Sequence, residues 1–313
     1  MKQEQKNKIL IGTLLAMVMV AAVILLFKSK NDQVDKGVFK MDNLAAIDRI
    51  QFESQGQGVE LSFNGSRWLV NNDYDADDQM VTVLFATLQQ VEVKRKVAAS
   101  RSDSIATRLK KNGTKVSLFI GTNLEKEMLV GGNAGRTEAY FMTNDNIPYL
   151  MAVPGYRVYA GGVFELDQNG WRDKRIFNFN WRNFKKLTAQ FSDSNRKGFE
   201  IEDMGFGFDI NNTTGTDTTK LNDYLDAVSL LMAKNFINSG ENEQYDSILQ
   251  AKPDVIIEIL DLGDNKFSLN LYRPIKGDEQ VVGKLNGTEG VLFDRQQVLP
   301  LQRGQDYFLI KSP

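Results

Sequence analysis

The chain has 313 residues, 42% hydrophobic and 25% charged, with a net charge of −2 and neither Cys nor His. That length suits about two domains of roughly 150 residues each. The missing Cys and His exclude disulfides, thiolate nucleophiles, Ser-His-Asp triads and His-ligated metals, and a mildly acidic body lacks the basic footprint of a nucleic-acid binder.

Residues 1–30 hold five Lys (Lys2, Lys6, Lys8, Lys28, Lys30) against Glu4, a net of +4, which leaves −6 for the rest. Residues 9–27, ILIGTLLAMVMVAAVILLF, carry no charge. As a helix they would extend about 28 Å, close to the ~30 Å hydrocarbon core of a bilayer. A secretory leader would be shorter and end in a small-x-small site, whereas this run ends LLFKSK. The expectation is one uncleaved transmembrane helix from Ile9 to Phe27. Residues 1–8 would be a cytoplasmic tail, because positive charge before the span slightly exceeds that after it. Residues 28–40, polar, read as a tether.

Residues 47–53 (IDRIQFE) alternate apolar and polar, as a half-buried strand does. VELSF (59–63) and RWLV (67–70) alternate as well, and Asn64-Gly65 between them signals a hairpin. A helical period follows at Val81, Leu84, Phe85, Leu88 and Val91, with Asp77 in place to cap it. Strands are expected at 116–121, 127–132 and 139–142. Later in the chain the theme returns. A second helical period runs through Leu221, Tyr224, Leu225, Val228 and Leu231 behind Asp217, and strands are expected at 255–260, 267–272 and 290–293.

The return keeps register. At a shift of 140, Gly58 meets Gly198, Glu60 meets Glu200, Gly65 meets Gly205, Asn71-Asn72 meets Asn211-Asn212, and Asp77 meets Asp217. Gln51-Phe52 pairs with Gln190-Phe191, Asp103-Ser104-Ile105 with Asp246-Ser247-Ile248, and Thr137-Glu138 with Thr288-Glu289. The fold class expected is α+β: after the transmembrane helix, two tandem, internally duplicated strand-hairpin-helix-strands units. The first unit would cover 41–170 and the second 187–313. The order lacks the βαβ rhythm of nucleotide folds, and GNAGRT (132–137) lacks the Lys-Ser/Thr ending of a phosphate-binding loop.

Between the units lies WRDKRIFNFNWRNFKK, residues 171–186, with six basic residues, one acid and five aromatics. Trp171, Arg172, Asp173, Lys174, Arg175 and Trp181 are the candidate residues for an inter-domain or partner surface. Aromatics and Arg stems that pack between the halves account for the composition, and docking of an anionic partner is the functional alternative. This segment resembles the RDK-type motif of the bacterial family called domain of unknown function 4340. So does the Trp-bearing strand GSRWLV, with the Asp-rich NNDYDADD and an apolar helix after it. One departure is SIATRLKKNGTKV, where many members have a Tyr-Gly-Leu…Pro stretch. The resemblance implies a membrane-anchored α+β body, sometimes encoded beside gliding-motility-type ABC-transporter components, and no established activity. It points to the bacterial inner membrane, single-pass, with the body in the periplasm.

Asp73, Asp75 and Asp77 begin like a calcium loop, but an EF-hand needs Gly at its sixth place and an acid at its twelfth, where Asp78 and Leu84 stand. A helix cap in a solvated loop explains them. Asn64-Gly-Ser, Asn112-Gly-Thr and Asn286-Gly-Thr match N-glycosylation triplets, yet Asn-Gly is first of all turn chemistry. No cofactor and no catalytic residue is expected. The function expected is a membrane-anchored extracytoplasmic binding or scaffold protein with a protein partner in the cell envelope. The alternative is an enzyme that acts on envelope polymers through carboxylate or Lys chemistry.

Overall fold

A computed structural model describes residues 11–23, 35–41, 43–177, 181–205, 207–211, 213, 215–238, 240, 242–274, 277 and 279–310. The chain divides between Arg172 and Asp173 into two units, and each builds one antiparallel sheet flanked by helices. The class is α+β.

Residues 11–23 form a helix, α1, about 20 Å long. The rest of the expected span, Ile9, Leu10 and 24–27, lies outside the described residues, as do 1–8 and 28–34. Among the described residues no helix is long and apolar enough to cross a membrane. The expected Ile9 to Phe27 span is therefore not recovered: α1 by itself falls about 10 Å short of a ~30 Å core.

The first unit contains β1 (Arg49–Ser54), β2 (Gln57–Phe63), β3 (Trp68–Val70), β4 (Tyr74–Asp75), α2 (Asp78–Gln90), β5 (Glu92–Lys96), α3 (Ala99–Asn112), β6 (Thr114–Ile120), β7 (Asn123–Gly132), β8 (Ala139–Met142), β9 (Pro148–Ala152) and α4 (Gln168–Trp171). Its strand order is β4-β3-β2-β1-β6-β7-β8-β9-β5. The hairpin at Asn64-Gly65 forms as expected: the Asn64 side chain accepts from the Ser66 and Arg67 amides, and Gly65 takes φ +95°. Asp77 caps α2 by accepting from the amides of Gln79 (2.8 Å) and Met80 (3.1 Å), which satisfies donors that a helix start leaves open. The apolar stripe Val81, Leu84 and Leu88 then packs on Ile50, Phe52, Leu61, Val116 and Leu118 of the sheet. On the opposite face, α3 sets Ile105, Ala106 and Leu109 against Tyr140, Met142 and Leu150.

The second unit contains β10 (Phe184–Phe191), β11 (Phe199–Asp203), β12 (Phe208–Ile210), α5 (Thr218–Ser229), β13 (Asn235–Ile237), α6 (Glu243–Gln250), β14 (Val255–Asp261), β15 (Lys266–Leu271), β16 (Gln280–Leu285), β17 (Glu289–Asp294) and α7 (Arg295–Val298). Its strand order is β12-β11-β10-β14-β15-β16-β17-β13. Without β4 the first order becomes the second, strand for strand. Asp217 caps α5 at the Lys220 amide (3.2 Å), and α6 covers the second face at Tyr272, Val282 and Leu292.

Pairing corrects two of the sequence equivalences. Ile50 lies opposite Leu61 and Leu118, and Leu187 lies opposite Ile201 and Ile259. Phe52 thus corresponds to Ala189, not to Phe191. The aromatic moves to the neighbouring strand: Phe52 faces Val59, whereas Ala189 faces Phe199. Thr137-Glu138 leads into β8, which matches β16, so its place is not that of Thr288-Glu289 at the start of β17. Asn212 lies outside the described residues. The tether also ends sooner than expected, because Phe39 is 1% exposed and sits edge-on to Phe141 and Tyr149 in the first core.

Candidate functional site

Residues 171–177 are built into the two units. Asp167 caps α4 through the Gly170 amide (2.7 Å), and this short helix delivers Trp171 into the first core. Trp171 is 0% exposed and stacks on Phe52 with ring centroids 5.2 Å apart. Its carbonyl accepts from the Asp77 amide (2.8 Å), and Arg172 forms a bridge with Ala76. The Arg172 guanidinium carbon lies 3.5 Å from the Tyr74 ring centroid, a cation–π contact in a buried setting. Trp171 and Arg172 therefore close the first unit. The second closes the same way: the Phe308 carbonyl accepts from the Asp217 amide (2.7 Å), Leu309 bridges Thr216, and Phe308 packs on Phe199.

Asp173, Lys174 and Arg175 open the second unit. Asp173 Oδ1 accepts from the Arg175 amide (3.0 Å), and the Arg175 guanidinium lies on the same carboxylate at 2.6 Å. The Lys174 carbonyl accepts from the Ala233 amide (2.7 Å), after which Ile176 and Phe177 enter the core. The first unit opens identically. Asp35 Oδ1 accepts from the Gly37 amide (2.8 Å), the Lys36 carbonyl accepts from Val93, and Phe39 enters the core. The signal was in the sequence as D-K-x-V-F at 35–39 and D-K-x-I-F at 173–177, a shift of 138. Trp181 begins a short 3-10 turn, Trp181–Asn183; Phe179 lies outside the described residues. Trp171 and Arg172 thus belong to the first unit, and Asp173, Lys174 and Arg175 to the second.

The acidic run 73–78 resolves into local pairs. Asp75 binds Arg67 (2.9 Å), Asp77 caps α2, and among the described residues no group of acids is arranged to hold a metal. The Asn-Gly pairs make turns at Gly65 and at Asn286-Gly287, where both residues have positive φ, whereas Asn112-Gly113 ends α3.

A cavity of about 290 Å³ lies in the first unit, between the last turn of α3 (Arg108, Leu109, Asn112) and Gly113, Gly131 and Gly132. Beside it the Tyr159 ring lies so close to Gly132 and Gly161 that a Cβ at either would overlap it. The Tyr159 hydroxyl bonds to Glu165, which pairs with Arg136 (3.2 Å); burial first, then Glu165, pushes the phenol above its usual range. Among the described residues that line the cavity none is a carboxylate, hydroxyl or amine, and the lining offers the Arg108 cation, the side-chain amides of Asn112 and Asn133, and backbone polar groups. In the second unit Tyr272 follows the residue that pairs with the first position of β14, as Gly131 does for β6. Its hydroxyl donates to the Leu249 carbonyl (3.1 Å) at the end of α6.

The family model described as domain of unknown function (DUF4340) matches residues 68–251. No curated protein and no solved structure matches the chain. The matched stretch runs from β3 to the end of α6 and includes the closing Trp171-Arg172 and the opening Asp173-Lys174. It covers more than half of the chain, which therefore belongs to the DUF4340 family, a domain of unknown function.

Proposed function

We propose that this protein is a membrane-anchored binding or scaffold protein whose two units, descended from one duplicated module, stand outside the cytoplasm and serve as an accessory part of an ABC-type envelope or gliding-motility system. The observation that carries the reading is α1: every residue from 11 to 23 is exposed, and Leu14, Leu15, Met17 and Met19 are 60–74% exposed. A body that leaves such a helix uncovered leaves it for an apolar solvent, and the sequence continues the uncharged run to Phe27. The basic residues before Ile9 favour a cytoplasmic N-terminus. The binding role draws on the cavity lining, which offers a cation, two side-chain amides and backbone groups rather than a carboxylate or amine.

Two measurements test this. Alkaline carbonate washing of membranes should leave the full chain in the pellet, and release of the intact chain overturns the anchor. Crosslinking in cells followed by mass spectrometry should recover an ABC-transporter or envelope component, and recovery of none overturns the accessory role.

A further inference from the structure

We propose that the basic stretch of the first unit that runs through β5 and α3 docks on an anionic lipid surface. Residues 92–112, β5 through α3, carry seven basic residues against Glu92 and Asp103. Lys94, Arg95, Lys96, Arg101, Lys110 and Lys111 are all exposed. Glu92 is already neutralised by Lys40 at 2.7 Å. Among the described residues Lys94, Arg95, Lys96, Lys110 and Lys111 form no ion pair within 4.0 Å, while Arg101 lies 3.7 Å from Glu138.

The second unit shows that the fold does not need this charge. Its matching stretch, 232–253, holds two basic residues, Lys234 and Lys252, and three acids, Glu241, Glu243 and Asp246. Lys234 is tied to Asp294 at 2.6 Å. One architecture thus carries +5 in one copy and −1 in the other. A structural requirement would have put similar charge in both.

The position of the tether says what the basic stretch meets. The first unit begins at Asp35–Phe39, and the Lys36 carbonyl accepts from Val93 (3.5 Å), the residue next to Lys94. Lys126 holds the segment by donating to the carbonyls of Val38 (2.9 Å) and Lys40 (2.7 Å). The chain therefore leaves the first unit beside the basic strand. On the reading that residues 9–27 are the anchor, Lys28 to Val34 separate the bilayer from Asp35, and seven residues reach at most about 24 Å. Lys and Arg held that near a negatively charged leaflet are drawn to it, with a strength that salt screens.

The full chain, reconstituted in vesicles, tests the proposal. One preparation uses phosphatidylcholine; the other adds about one-third phosphatidylglycerol. Amine-reactive labelling of Lys94, Lys96, Lys110 and Lys111 should fall about threefold or more in the anionic vesicles and recover at about 0.5 M salt. Lys197 and Lys252 of the second unit should label alike in both. In the variant Lys94→Gln/Arg95→Gln/Lys96→Gln, whose changes are all at exposed positions, Lys110 and Lys111 should lose that protection. Equal labelling in the two vesicles overturns the proposal, as does a variant that keeps full protection. Protection by soluble polyglutamate but not by anionic vesicles also overturns it, in favour of an acidic protein. Flotation separates the two ideas: a chain that floats with phosphatidylcholine vesicles yet gains no anionic protection keeps the anchor and overturns the docking. A chain that floats only with anionic vesicles overturns the anchor and supports the docking.

Discussion

The two units share a strand order and differ in how the ends of their sheets are finished. In the first, Gly113 precedes the central strand β6, and Gly131 and Gly132 end β7. The α3 helix comes close enough that a Cβ on Gly131 would sit 2.9 Å from a Leu109 methyl, and the cavity lies beside that contact. In the second, Asp254 precedes β14, and Tyr272 and Arg273 follow β15. There Tyr272 is 4% exposed and Asp254 is held by Arg196 (2.9 Å) and Arg273 (3.3 Å). A sheet held by its backbone ladder accepts both finishes, because the strand order is the same in both units.

The largest expected effects test whether the closing aromatics are equivalent. Trp171→Ala and Phe308→Ala each remove a fully buried ring from the place where the chain pairs beside the cap of α2 or α5. Each should cost about 3–5 kcal/mol. By hydrogen exchange, Trp171→Ala should expose β1 and α2 while β10 and α5 stay protected, and Phe308→Ala should do the reverse. Loss of protection in both units from either change would break the correspondence. Trp171→Phe should cost less, since the indole Nε1–H has no acceptor among the described residues.

A smaller effect follows from the charged finish of the second unit. Burial would raise the Asp254 carboxyl, but the hydrogen bonds and charges of Arg196 and Arg273 outweigh it and hold it below the ordinary value. A carboxyl depressed in the folded state lends stability that is complete above its unfolded value of about 4 and is lost as pH falls through the folded value. Arg196→Ala should therefore cost about 2 kcal/mol at neutral pH, by leaving a buried carboxylate short of a donor. The difference from wild type should shrink in denaturant titrations as pH falls below the unfolded value of about 4 and Asp254 takes up a proton. An equal deficit at neutral and acid pH would mean that Arg196 acts by packing alone.

The elements legible in the sequence are those whose pattern is local. Alternation in VELSF, the Asn64-Gly65 turn and the Asp-capped stripes of α2 and α5 announce themselves within a dozen residues. The β9 strand, PYLMA, has no alternation because its first four residues are buried, so its period is invisible. The β5 strand, EVKRK, is an edge with only Val93 buried and reads as a charged loop. The segment from Trp171 to Arg175 reads as one run for another reason. Its aromatics and charges are dense because one closing and one opening run abut there, and only the match of Asp35-Lys36 with Asp173-Lys174 separates them. The cavity left no legible mark: Gly131-Gly132 reads as a strand end, and what makes it a hollow is the approach of α3.

The smallest effect has the opposite sign and concerns one atom. Seven residues after each capping Asp, the first unit has Leu84 and the second Tyr224, both buried in the core. Burial pushes the Tyr224 phenol above its usual range, and its hydroxyl has no hydrogen-bond partner among the described residues. The ring itself is well used, edge-on to Phe199 at 5.5 Å and to Phe308 at 5.4 Å. Tyr224→Phe keeps those contacts and removes a group that had given up water for nothing, so it should stabilise the second unit by about 1 kcal/mol. Tyr224→Leu would copy the first unit more literally but would lose both edge contacts and leave a gap, so it should cost about 2 kcal/mol. A lower melting temperature for Tyr224→Phe would mean that the hydroxyl has a partner after all, such as a bound water, and that the second core is polar where the first is dry.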